Sequence, residues 1–205
     1  MAERKDGRAP VPTESEVRHE EWGDEDITGR VAERVAFVDI DLTDVRGTGA
    51  AFTDCVFRDC RFNASVHTDA AFVNCTFVGC AFFDATFTGC KLVGSMFDRC
   101  TFGLLKVDDG DWSFAGLPGA DLDGSVFTGT RLREADLTGT RLRGATLRDV
   151  DLTGAWLHSA DLSEADLRGS RLDTLDPLTT QLKDAQIDVA QAVTLAGTLG
   201  LRVTA

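Results

Sequence analysis

No part of this sequence stays apolar for long. The opening stretch, "MAERKDGRAPVPTESEVRHEEWGDED", has no apolar run at all, so no secretion signal is expected in it. Nothing after it approaches the roughly 20 apolar residues of a membrane-spanning helix, so a soluble, cytoplasmic protein is expected. Positive charge is scarce: 21 Lys and Arg stand against 34 Asp and Glu, leaving a net charge of −13. A phosphate-binding surface needs the opposite sign, which argues against nucleic acid or an anionic membrane as a direct partner. Histidine is scarcer still. His19, His67 and His158 have no Cys or carboxylate beside them at the spacing of a metal site or nucleophile pair. The glycines form no phosphate loop. No catalysis, metal site or cofactor is expected from these residues.

What the sequence has in quantity is a beat. In "ADLTGTRLRGATLRDVDLTGAWLHSADLSEADLRGSRL", residues 135–172, leucine occupies every fifth position and no other. A helix repeats its apolar face about every 3.6 residues and a half-buried strand every second residue, so neither explains it. Stepping by five from Phe72 to Leu172 meets no polar residue and no slip in phase. Ile27, Ala32, Phe37, Leu42, Phe52, Phe57 and Phe62 precede this run, Leu182 and Ile187 follow it, and Gly47, His67 and Pro177 interrupt the series. Two residues before each centre lies a second series of small side chains, among them Ala50, Ser95, Ala135 and Ser170. Two residues after each centre, Gly and Asp are frequent, as turns require. Each unit therefore reads as a short extended side followed by a corner. Four such sides would close a coil of twenty residues, and stacked coils would pair their backbones about 4.8 Å apart. Internal repetition on this scale marks a solenoid, in which a coil buries its interior only by lying on its neighbours.

The six cysteines (Cys55, Cys60, Cys75, Cys80, Cys90 and Cys100) all fall in the small series, which makes them core filler rather than disulfide partners or zinc ligands. His67 breaks the central series alone and reads as a local distortion with a hydrogen-bonded ring. Trp156 and Phe114 fall at outward positions and are candidates for a contact surface.

Distributing charge over a four-sided rod singles out two neighbouring faces. The face centred on Leu42, Phe62, Phe82 and their equivalents carries eight acids against four bases, and the face centred on Phe37, Phe57 and Phe77 carries five against two. Their acids are Asp39, Asp41, Asp44, Asp59, Asp84, Asp98, Asp121, Asp123, Asp136, Asp161, Glu164, Asp176 and Asp184, the candidate partner-binding residues. Asp111, Arg131, Asp151 and Arg171 lie twenty apart and should stack as a ladder of alternating sign.

Three segments are expected: a disordered charged tail over 1–26, the coil over 27–187, and a helical cap over 188–205. The cap follows from Asp188 as N-cap with Gln191 three residues on, and from Gly200 as a stop. Val189, Val193, Leu195, Leu199 and Leu201 provide more apolar surface than closing one coil requires. They are the candidate dimer interface.

The pattern in "SADLSEADLRGSRL" resembles the pentapeptide-repeat family. That resemblance implies an all-β fold, a right-handed quadrilateral parallel β-helix, with a short C-terminal helix. A narrower likeness lies in the ending "IDVAQAVTLAGTLGLRV", in "LLKVDDGDWSFAGLPGADLDG" (104–124) and in "TGTRLREADLTGTRLRGATL" (128–147). These are similar to the mycobacterial fluoroquinolone-resistance and Qnr group, in the same order. The resemblance implies a cytoplasmic homodimer, joined through the C-terminus, that binds DNA gyrase or a related type II topoisomerase by mimicking DNA. Projecting loops found in Qnr proteins have no counterpart, because no insertion breaks the beat between Phe72 and Leu172. Inhibition of gyrase is thus implied, while protection against quinolone-type poisons stays open. The alternative reading is a protein–protein interaction scaffold with no topoisomerase role.

Overall fold

The computed structural model describes residues 10–23 and 25–204. Every strand pair in it is parallel and joins residues twenty apart, as in Phe37↔Phe57 and Phe57↔Phe77. The chain is therefore a four-sided parallel β-solenoid. One coil, residues 55–74, gives the four faces their names here, after the centres Phe57, Phe62, His67 and Phe72.

On the Phe57 face, Ser15–Arg18, Val35–Val38, Val56–Arg58, Thr76–Val78 and Met96–Asp98 make a five-stranded sheet. The His67 face holds six strands, from Arg46–Thr48 to Thr146–Arg148. Three strands, Val31–Glu33, Ala51–Thr53 and Ala71–Val73, begin the Phe72 face, which continues as single bridges from Lys91 to Arg171. The Phe62 face is built from single bridges alone, such as Asp41↔Arg61 and Arg141↔Asp161.

Both inward series are buried. Phe57, Phe62, Leu122, Leu142 and Leu162 are closed from solvent, as are Cys60, Ala85 and Ala165. Aromatic centres stack coil on coil: Phe37 on Phe57 at 4.9 Å, Phe57 on Phe77 at 5.0 Å and Phe77 on Phe97 at 4.7 Å. These spacings repeat the strand separation, because each ring rides on its own backbone. Several polar members of the small series reach a carbonyl of the preceding coil. Cys60 Sγ lies 3.4 Å from the Phe37 carbonyl, Ser95 Oγ donates to Phe72 O at 2.6 Å, and Ser170 Oγ donates to Leu147 O at 2.6 Å. All six cysteines are free, five of them buried.

The corners explain the Gly and Asp. Residue after residue two places past a centre adopts a left-handed backbone, including Asp59 (φ 54°), Asp69 (48°), Gly79 (66°) and Asp149 (55°). Gly fits there without steric cost, and Asp and Asn tolerate it better than other side chains. Corner composition is thus a backbone requirement first.

The coil begins earlier than residue 27. Ser15–Arg18 pairs in register with Val35–Val38, and Trp22 is buried. Val17 and Trp22 keep the five-residue phase ahead of Ile27, but Glu20 and Glu25 stand where the small series would be, among other charged residues, and conceal it. Trp22 is held by its Nε1, which donates to Glu20 at 2.7 Å, and by the Arg30 guanidinium 3.6 Å over its ring. The rest of the expected tail, residues 1–9 and Asp24, lies outside the described residues.

At the other end a helix runs over Val189–Thr198. Gln191 N donates to Asp188 Oδ1 at 2.9 Å, and Asp188 N donates to Gln191 Oε1 at 2.8 Å, a reciprocal cap. Gln191 is itself buried, and its Nε2 donates to the carbonyls of Leu167 and Ser170 at 2.6 and 2.7 Å. Leu195 turns onto the core. Gly200, at φ 78°, ends the helix, with Leu201 N donating to Ala196 O at 2.9 Å. No helix is long and apolar enough to cross a membrane among the described residues.

Candidate partner-binding surface

Outward side chains occupy two kinds of position, the flanks beside each centre and the corners. The distinction sorts the expected acids. On the flanks of the Phe62 face, carboxylates and guanidinia stack coil over coil. Arg61 donates to Asp41 at 2.8 Å, and Arg141 bonds Asp121 while lying 3.9 Å from Asp123. Arg143 stands 3.8 Å from Asp161. The Arg61 guanidinium, against some desolvation, holds the Asp41 carboxyl down at about 2, with Thr43 assisting. Hydrogen bonds from Ser163 keep Asp161 below the usual carboxylate range, and Arg143 adds to the effect. Asp84 meets Lys106 at 2.7 Å, Asp39 meets His19 at 2.9 Å, and Asp98 meets Arg99 at 3.1 Å.

Asp136 is a correction. It is 5 % exposed, and its carboxylate accepts the Thr138 amide at 3.0 Å, closing a turn between the Gly116 and Trp156 bridges. A carboxylate so enclosed is unavailable to a partner. Asp176 is exposed, and its Oδ1 accepts the Leu178 amide at 2.8 Å in the turn around Pro177.

Asp44, Asp59, Glu164 and Asp184 remain. All four sit at left-handed corners, with φ of 60°, 54°, 63° and 59°, and none has a basic side chain in ion-pair reach among the described residues. Asp44, Glu164 and Asp184 share the edge between the Phe62 and His67 faces, with Asp84 in the same row. Counting charge by face missed further corner acids: Asp69, Asp109 and Asp149 on the next edge, and Asp54 and Glu134 on the one after. Cations elsewhere on those faces cancelled them in the count, although Lys106, Arg131, Arg133, Arg148 and Arg168 pair with other carboxylates. The legible signal was the slot itself, since any Asp two places past a centre projects from an edge. The carboxylates free to bind therefore line all four edges.

The alternating ladder is partly realised. Arg131 bonds Asp111 at 3.3 Å, but Asp151 takes its hydrogen bond from Arg133 at 2.6 Å rather than from Arg171. At the C-terminal end, Val189, Val193, Leu199 and Leu201 are exposed, Val189 to 82 %. Leu195 leaves the candidate dimer set, because it is only 9 % exposed and closes the last coil. Trp156 projects from the Phe57 face, and Phe114 lies at the edge leading into it. Phe83 and Leu104, both more than half exposed, escaped sequence reasoning altogether. No cluster of His, Cys, Asp or Glu is placed to hold a metal among the described residues.

Residues 113–144 and 135–173 match the family model described as Pentapeptide repeats, with eight copies. Residues 25–102 match that of the SV2A/B/C luminal domain. No curated protein matches this chain. Among solved structures, a trypsin-treated QnrB1, a plasmid-mediated fluoroquinolone resistance protein, aligns with a TM-score of 0.53 at 20 % identity, over 94 % of this chain and 97 % of its own. HetL, a pentapeptide repeat protein involved in heterocyst differentiation regulation from the cyanobacterium Nostoc sp. strain PCC 7120, aligns with a TM-score of 0.57 at 20 % identity, over 85 % and 86 %. The chain carries pentapeptide repeats and has the solenoid fold of these proteins.

Proposed function

We propose that this pentapeptide-repeat rod is a DNA mimic that binds DNA gyrase, or a related type II topoisomerase, through its acidic surface and inhibits it. The observation that carries the reading is the set of corner carboxylates without basic partners among the described residues, repeated along a solenoid whose chain carries a net charge of −13. A regular negative cylinder is steered toward a surface that normally receives phosphates. The likeness of the sequence ending to the fluoroquinolone-resistance group points to the same partner, and QnrB1, described as a fluoroquinolone resistance protein, shares the fold. In this reading the protein acts by occupancy rather than catalysis, and two copies join through Val189, Val193, Leu199 and Leu201 to lengthen the rod. Cytoplasmic location follows from the partner.

The second reading, an interaction scaffold with no topoisomerase role, draws on the equal likeness to HetL, described as acting in differentiation regulation. A supercoiling assay with purified gyrase separates the two. Inhibition relieved by excess DNA supports the mimic, and full gyrase activity at micromolar protein leaves the scaffold.

A further inference from the structure

The edge between the Phe62 and His67 faces is acidic toward both ends and apolar at its middle. Its corner row reads Asp44, Ala64, Asp84, Leu104, Gly124, Gly144, Glu164, Asp184. Leu104 is 54 % exposed and holds a left-handed φ of 56°. Phe83, one coil earlier, is 56 % exposed. Its ring lies across Gly103, where an added Cβ would come 2.7 Å from Phe83 Cδ2. Gly103 directly precedes Leu104, so the ring covers the residue next to the leucine, and the two exposed apolar side chains stand on adjacent coils of one edge. Around it the bridging flank residues Ala81 and Thr101 are uncharged, while the Asp41–Arg61 and Asp121–Arg141 pairs stand on either axial side.

Scattered surface hydrophobics are ordinary, but this pair is not of that kind. A left-handed backbone disfavours leucine, and Gly, Asp and Asn fill most other corners of this chain. A half-exposed side chain recovers little of that cost within the monomer, and uncompensated strain of this sort gathers at contact sites. An apolar centre ringed by charged groups is also the anatomy of a protein interface, where a few anchors carry most of the binding energy.

The geometry points to Phe83 and Leu104 as the apolar anchor of this edge, seated in an apolar socket of a basic, DNA-binding protein surface. The inference rests on the mimic reading and deepens it. The flanking Asp44, Glu164 and Asp184 supply the charge complementarity, over roughly 34 Å of rod at about 4.8 Å per coil. A duplex offers phosphates there but no apolar knob, so the anchor is what would let the partner hold this rod in one register.

The test is binding to purified DNA gyrase across a salt series, with melting of each variant followed by circular dichroism. Phe83→Ala and Leu104→Gly should each weaken binding by about tenfold, by the same factor at every salt concentration. Leu104→Gly should also leave the melting temperature unchanged or raised, since glycine relieves the corner; lost binding there cannot be blamed on misfolding. Glu164→Gln with Asp184→Asn should instead reduce the salt dependence itself. Wild-type affinity in both apolar variants overturns the anchor, while loss in the charge variant would leave the mimic standing. A wild-type protein that does not bind gyrase overturns both.

Discussion

The His67 imidazole lies over the Phe87 ring of the next coil, with centroids 4.9 Å apart and planes 20° from parallel. It occupies a slot that is aromatic or aliphatic in nearly every other coil and is fully buried. Its Nε2 lies 3.0 Å from Ser65 Oγ, whose hydroxyl donates to Phe62 O at 2.7 Å, so Nε2 carries the proton. Nδ1 has no partner.

Burial holds the His67 pKa down at about 4, against 6.5 in an unperturbed side chain. Between those values the unfolded chain binds the proton and the folded chain does not, so stability rises with pH across that window. The full stability is present above about 6.5 and lost as pH falls toward about 4, amounting to about 3 kcal/mol. Urea unfolding at a series of pH values measures it. His67→Phe should flatten that slope; an unchanged slope means another group is titrating.

Leu142 is closed from solvent between Leu122 and Leu162. Leu142→Asp places an unpaired carboxylate there and should unfold the protein, because desolvating it costs several kcal/mol or more. Leu142→Ala should cost about 2–5 kcal/mol and keep the fold. Thermal melts distinguish the two, and a folded aspartate variant would contradict the inward series.

Two glycines test the corners. Gly124 (φ 67°) has open space where a Cβ would go, while at Gly169 (φ 78°) the Cβ would fall 2.1 Å from Asp149 Oδ1. Gly124→Ala should cost about 1–2 kcal/mol from backbone strain alone. Gly169→Ala should cost more, and adding Asp149→Gly should bring it back to the Gly124 level.

Dimerisation is best probed without removing the cap, since Gln191 and Leu195 close the last coil. Val189→Asp with Val193→Asp alters only exposed positions. Analytical ultracentrifugation should show a dimer for the parent chain and a monomer for this variant. A parent chain that is monomeric at micromolar concentration defeats the idea.

Neutralising one edge against another locates the recognition surface. Asp44→Asn, Glu164→Gln and Asp184→Asn remove three free charges from the edge that carries Leu104, using side chains compatible with the corner. Asp69→Asn, Asp109→Asn and Asp149→Asn remove three from the next edge. Gyrase inhibition should suffer in the first set and much less in the second. Equal losses would mean that net charge, not one edge, does the work.

The core was legible because the beat alone separates inside from outside, and Phe57, Cys60 and Leu142 lie where the five-residue phase puts them. The start of the coil was not, because Val17 and Trp22 are two apolar beats among charged neighbours. Asp136 was misplaced for a different reason. Its slot is outward in the repeat, and only the turn it closes with Thr138 encloses it. Pairing was equally invisible, since Asp151 reaches Arg133 rather than its stacked partner Arg171, a choice made by side-chain reach. Phe83 and Leu104 break the outward polarity, but nothing in the spacing placed them together.

The twenty-residue register also sets how the molecule comes apart. Backbone hydrogen bonds such as Asp59 N to Val78 O and Thr76 N to Cys55 O join only adjacent coils. Order can thus spread from any nucleus by adding one coil at a time, and unravelling can proceed inward from a terminus without disturbing the rest. The C-terminal helix acts as a stopper on that process, with Gln191 holding the carbonyls of Leu167 and Ser170. Amide exchange should therefore run as a gradient along the axis, slowest in the phenylalanine-stacked coils and fastest at the ends.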